Sequence, residues 1–257
     1  MLHNGVGRIG RVARHEEGSF PAVKDAVGDW LFSRRAYAPE RQRVLCIGDS
    51  HVKIMRQVAV PGYWLKPFFV DGATASGITN PNSVTRSMML FNRRLARAKP
   101  WQRVAVQLGE VDCGFVIWHR AERHGTSVEE QLQRTLGSYS AFLASVLEMG
   151  FPQVVVLSAP APTISDARGE WGAVANLRSE ISASQRERTD LTVEFNQHLS
   201  DCCLEIGATF VDVTSQHIDP KTRLITPEFL RPTQDDHHLA DEPYAALIAH
   251  ELRGYLS

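Results

Sequence analysis

The sequence predicts an α/β domain of three layers, α/β/α, around a five-stranded parallel sheet in the flavodoxin-like order 2-1-3-4-5. Three observations predict it. Short apolar runs recur at residues 44–47, 67–70, 103–108, 154–157 and 209–213, and runs of this length suit strands buried on both faces. Stretches with helical spacing of apolar residues lie between most of them, as expected of parallel strands joined by right-handed crossovers. The first run stops at Gly48-Asp49-Ser50, and open α/β sheets place ligands beyond the carboxyl ends of their strands, at the switch point beside the first one.

Residues 1–40 stand apart from this alternation and read as an N-terminal arm on a domain of residues 41–257. The arm is rich in Gly and Arg up to Pro21, and residues 22–35 space Val23, Val27, Trp30 and Leu31 for a short helix. From residue 41 the elements follow in order. A helix is expected over 51–60, stopped by Pro61-Gly62, and another over 84–98 with Met88, Phe91 and Leu95 on one side. Ser127 and Glu130 form a capping-box pattern. It opens a long helix whose apolar face runs from Val128 to Leu147 before Gly150 and Pro152 end it. Residues 163–189 read as a long polar insertion carrying Arg168, Trp171, Arg178 and Arg186, and long loops in compact domains are more often functional than idle. Helices over 190–206 and 243–256 complete the pattern.

Twenty-eight Lys and Arg balance 29 Asp and Glu, so charge points to neither nucleic acid nor an anionic membrane. No apolar run approaches the ~18 residues of a membrane span. The four cysteines show neither disulfide-framework spacing nor a C-x-x-C pair, which suits reduced thiols and a cytoplasmic protein. Arg8, Arg11 and Arg14 precede no apolar core of a secretory signal.

The chemistry concentrates at two distant points. Ser50, on the turn after the first strand, has a hydroxyl that becomes nucleophilic only when a base removes its proton. Asp235-Asp-His-His238-Leu239 supplies candidates: His238 as base, and Asp235, three residues earlier, as the carboxylate that fixes its tautomer. Asp236 and His237 compete for the same roles. Acyl transfer also needs donors for a developing oxyanion. The Ser50 N–H, the backbone at Gly77 after the second strand and the loop at Gly109 after the third are the candidates. The segment from Trp118 to His124, with His119 and Arg120, reads either as a solvated helix lead-in or as a rim for an anionic or sugar-like substrate.

These blocks resemble the SGNH (GDSL-type) hydrolases. Gly48-Asp49-Ser50 matches the block that carries the nucleophile. Asp71-Gly-Ala-Thr-Ala-Ser-Gly77 is similar to the second, whose glycine N–H belongs to the oxyanion hole. Gly109-Glu-Val-Asp112 resembles the third, normally Gly-x-Asn-Asp, and Asp235 to His238 matches the last, Asp-x-x-His. The resemblance runs in family order over residues 43–256. It implies an ester hydrolase or acyltransferase with a Ser50–His238–Asp235 triad, a small-molecule ester or thioester substrate, and no cofactor or metal. Two departures accompany it. His51 stands for the usual leucine, and Val111 replaces the asparagine that donates to the oxyanion, since valine has no donor. Glu110, His51 or His119 then substitutes, or the site is weak, or the reaction differs.

Two other readings stand beside this one. A catalytically silent domain of the same fold would bind an ester or glycan. A metal-dependent phosphoesterase would use Asp49 and His51, with ligands from 109–112 and 235–238.

Overall fold

The computed structural model describes residues 41–99, 102–166, 181–232 and 237–256. Five parallel strands form one sheet in the order β2-β1-β3-β4-β5: β1 (Gln42–Gly48), β2 (Tyr63–Phe69), β3 (Arg103–Gln107), β4 (Val154–Leu157) and β5 (Thr209–Val211). This is the predicted class and strand order. Residues 42–257 form one compact unit, and the expected arm, residues 1–40, lies outside the described residues.

The side-chain alternation of β1 assigns the layers. Leu45 and Ile47 face one core with Val104, Val106, Val154 and Val156. That face is covered by α1 (Ser87–Leu95), α3 (Val128–Glu148) and α4 (Gln185–Ile206), which contribute Phe91, Leu143 and Phe195. Val44 and Cys46 face the other core, closed by a 3₁₀ turn (Ser50–Arg56) and α5 (Asp241–Leu256) through Met55, Ile248 and Leu252. Each buried aliphatic side chain of this kind contributes about 1.5–3 kcal/mol of transfer free energy, so both faces of the central strand are strongly specified.

Several boundaries differ from the sequence reading, each for a local reason. The segment after β1 is not an α-helix over 51–60 but the shorter 3₁₀ turn. Its threefold winding aligns residues three apart, and Val52 and Met55 both go down onto the sheet. β2 is longer than 67–70; it is an edge strand in which only Leu65 is fully buried, so its apolar signal is diluted. Pro67 is tolerated there because an edge strand leaves one side unpaired. α1 starts at Ser87 because Arg86 is left-handed, φ 50°, which a helix cannot include. β5 is shorter, ending at Val211.

α4 begins at Gln185, not 190, behind a complete capping box: the Ser184 side chain accepts from the Glu187 N–H, and the Glu187 carboxylate accepts from the Ser184 N–H at 2.7 Å. At α3 the box is half made. Ser127 Oγ accepts from the Glu130 N–H at 3.0 Å, while the Glu130 carboxylate turns to Arg134. A short helix not assigned from the sequence, α2 (Ile117–His124), follows a π turn (Asp112–Val116). Arg168, Trp171 and Arg178 fall outside the described residues, and Arg186 is exposed on the first turn of α4. All four cysteines are free. Among the described residues no helix is long and apolar enough to cross a membrane.

Candidate active site

Parallel pairing sets Gly48 opposite Phe69 on one side and Gln107 on the other, so the loops leaving β1, β2 and β3 emerge together. After β1, Asp49 caps the 3₁₀ turn. Its Oδ1 accepts the His51 backbone N–H at 2.9 Å and lies 3.0 Å from His51 Nδ1. A carboxylate only accepts, so Nδ1 carries the proton and Nε2 is left as the outward nitrogen of the ring. That nitrogen lies 3.9 Å from Glu110 Oε2. Asp49, His51 and Glu110 are all buried.

Ser50 is 5% exposed, and its Oγ lies 2.8 Å from His238 Nε2. With the imidazole neutral and protonated on Nδ1, the serine O–H donates to Nε2, the geometry for general-base removal of its proton. His238, and not His237, makes this contact. Asp235 and Asp236 lie outside the described residues. The His237 ring is tilted against that of His238, with centroids 4.1 Å apart, and lies 5.4 Å from that of His51; the His51 and His238 rings are 4.6 Å apart. One ring nitrogen from each of the three histidines lies within 4.8 Å of the other two. Together they are the candidate metal ligands of the site.

A cleft of about 350 Å³ opens on Ser50 and His238. Lys53, Arg56, Arg231 and Asp241 give its wall charged groups of both signs, cations in excess, and Ile54, Leu239 and Tyr244 give it apolar surface. Lys53 pairs with Asp71 at 2.8 Å, and Arg231 pairs with Asp241. Gln107, buried at the end of β3, donates to the Tyr244 hydroxyl at 2.9 Å and to the Ser158 carbonyl at 3.0 Å, which fixes the inner wall.

The loop after β2 is held by Asp112. Its carboxylate accepts the Ala75 N–H at 2.7 Å and the Ser76 N–H at 3.1 Å. Burial pushes this carboxyl up to about 6, against the opposing pull of the Ser76 and Ala75 amides and the Arg120 guanidinium. Asp112 belongs to the Gly109–Asp112 motif, but its role as a clamp between two loops was missed by sequence reasoning. The raised value makes a prediction. A carboxyl with a pKa near 6 folded and 3.8 unfolded stabilises the fold fully below pH 4, and that contribution is lost as pH rises through 6. That difference corresponds to about 3 kcal/mol. Asp112→Asn should therefore remove a fall in stability between pH 4 and 7, seen as a changing difference between the two urea-unfolding curves. A constant difference would contradict the assignment.

The remaining predicted residues distribute unevenly. Gly109 is buried at φ 121°, where an added Cβ would come within 2.8 Å of Phe195 and Ala159. Gly77 is not free to donate: its N–H bonds to Thr74 Oγ1 at 3.0 Å. His119 stacks on Phe115, centroids 5.2 Å apart, and Arg120 lines a second cleft of about 740 Å³ with Ser76, His124, Gln131 and Arg134. Neither lines the Ser50 cleft.

No family model matches the chain, and no curated protein matches it. Solved structures do. A carbohydrate acetylesterase from Sinorhizobium meliloti is 15% identical, with 83% of this chain and 99% of that chain covered at a TM-score of 0.54. A GDSL-like lipase from Bacteroides thetaiotaomicron is 14% identical, with 88% and 95% covered at a TM-score of 0.50. The structure thus resembles the SGNH (GDSL-type) esterase–lipase fold at low sequence identity.

Proposed function

We propose that the chain is a serine-dependent carboxylic-ester hydrolase or acyltransferase working through an acyl-enzyme on Ser50. The observation that carries this reading is the 2.8 Å contact between Ser50 Oγ and His238 Nε2, made where the sheet's carboxyl ends meet a cleft. In the proposed cycle His238 takes the serine proton as Oγ attacks the acyl carbon. The imidazolium then protonates the leaving alkoxide or thiolate, and water or an acceptor alcohol, deprotonated by the same ring, releases the acyl group. Asp235 is assigned the orientation of His238 through Nδ1. The substrate class is a small ester or thioester with anionic or sugar-like character, which Arg56 and the carboxylate-paired Lys53 and Arg231 of the wall would suit. The silent-binder reading leaves the Ser50–His238 contact without a purpose.

The test is a stopped-flow reaction with p-nitrophenyl acetate in the presence of a metal chelator. A stoichiometric burst of nitrophenol followed by slower turnover is the expected result. Activity that disappears with chelator would favour the metal-dependent reading instead.

The oxyanion hole is the weak point of such a site. Val111 offers no side-chain donor and the Gly77 N–H is engaged by Thr74, leaving the Ser50 N–H as the clear candidate. One missing donor is worth about 3 kcal/mol, near a hundredfold in rate. Val111→Asn should therefore raise turnover most on aryl esters with the poorest leaving groups. No gain across a graded ester series would show that another group already performs this role.

A further inference from the structure

The histidine cluster carries chemistry that ester hydrolysis does not use. We propose that His51, His237 and His238 form a binding site for a borderline-soft divalent cation, represented by Zn2+, whose occupancy switches Ser50 off.

Three features of the cluster support the site. The ring nitrogens already lie within 4.8 Å of one another. Tetrahedral Zn2+ holds its nitrogens at about 2.0–2.1 Å, so donors about 3.4 Å apart are needed, and small side-chain rotations of two or three rings supply the difference. His51 is also oriented as a ligand. Its Nδ1–H donates to the buried Asp49 carboxylate at 3.0 Å, the outer-shell arrangement that fixes the tautomer and raises the basicity of the other nitrogen. The third feature is Glu110 Oε2, buried 3.9 Å from His51 Nε2, which sets a carboxylate beside one of the three rings and favours a cation there. Three imidazoles select Zn2+ over Mg2+ or Ca2+, which prefer all-oxygen sets, and leave the fourth tetrahedral position to solvent.

The consequence for Ser50 follows from the lone pairs. His238 Nε2 has one, now directed at Ser50 Oγ. Once that pair is donated to the cation, no base remains for the serine proton and the hydroxyl stays a weak nucleophile. Binding of the metal does not depend on the proposed hydrolase function; the inhibitory consequence does.

The experiment titrates Zn2+ alone into chelator-treated, dialysed full-length protein by calorimetry, in parallel for the parent, His237→Gln and Ser50→Ala. The proposal expects one Zn2+ per chain at micromolar affinity, tenfold or more weaker binding in His237→Gln, and undiminished binding in Ser50→Ala. Mg2+ should give no heat at the same concentrations. Co2+ loaded into the parent gives a second readout, the intense visible absorption of a four-coordinate site. Saturating Zn2+ should lower parent esterase turnover at least tenfold, with recovery in chelator, while His237→Gln keeps its turnover. No stoichiometric binding, or equal affinity in His237→Gln with an unchanged melting temperature, would overturn the site. Binding accompanied by faster turnover would overturn the switch. A protein that binds Zn2+ as described but hydrolyses no ester would contradict the proposed function and leave the metal site standing.

Discussion

Ser50→Ala is expected to lower kcat on any ester substrate by roughly 10⁴-fold or more while leaving the fold intact. The size follows from the loss of the attacking atom: removal of a serine nucleophile leaves only binding and oxyanion contributions. The structural cost is small, because the hydroxyl's contact with His238 contributes about 1 kcal/mol net and its removal leaves no overpacking. Substrate affinity should change little, since the cleft walls come from other residues. Kinetics and thermal melting on the same preparation check this. Turnover within tenfold of the parent would remove Ser50 from the mechanism, and chelator sensitivity of that residual activity would move the reading towards metal-assisted hydrolysis.

The second large effect is on stability. Gly48 closes β1, and a Cβ built on it would lie 2.0 Å from the Gln107 carbonyl oxygen and 2.5 Å from Val52 Cγ2. The first is backbone of the neighbouring strand and cannot swing away. Gly48→Ala must push β1 and β3 apart at the last pair of their ladder, and a destabilisation of about 3–5 kcal/mol is expected, at the upper end for a single substitution. The next two residues are Asp49 and Ser50, so a shift of even ~1 Å at the proposed nucleophile should cost about a further hundredfold in rate. Urea unfolding and esterase turnover measure the two parts separately. An unchanged unfolding midpoint would show that the strands accommodate the methyl group.

How far the sequence disclosed the molecule depends on how local each signal was. β1 was legible because Val44–Ile47 is buried on both faces and therefore apolar without interruption. β2 was only half legible because an edge strand with Lys66 and Pro67 has no such need. The start of α4 was available in Ser184 and Glu187, whose capping box was hidden within a polar stretch that resembles a loop. The pairing of Ser50 with His238, 188 residues apart, was foreseeable because a nucleophile requires a base. The Asp112 clamp and the Gly77–Thr74 bond were not, since they depend on how loops from different strands approach one another and no spacing encodes that. The sequence offers His51 both as a candidate oxyanion group and, in the metal-dependent reading, as a ligand beside 109–112 and 235–238; the 3₁₀ turn brings its ring beside His238 and Glu110, and which of those residues gather round it depends on that packing.

The central claim is that Ser50 is a nucleophile activated by His238. Treatment of the full-length protein with a fluorophosphonate probe, followed by intact mass and peptide mapping, tests it most directly. A single phosphonyl adduct on Ser50, absent in Ser50→Ala and formed at least a hundredfold more slowly in His238→Gln but not in His237→Gln, is the predicted result. An unlabelled parent protein, or labelling that persists at the parental rate in His238→Gln, would contradict it.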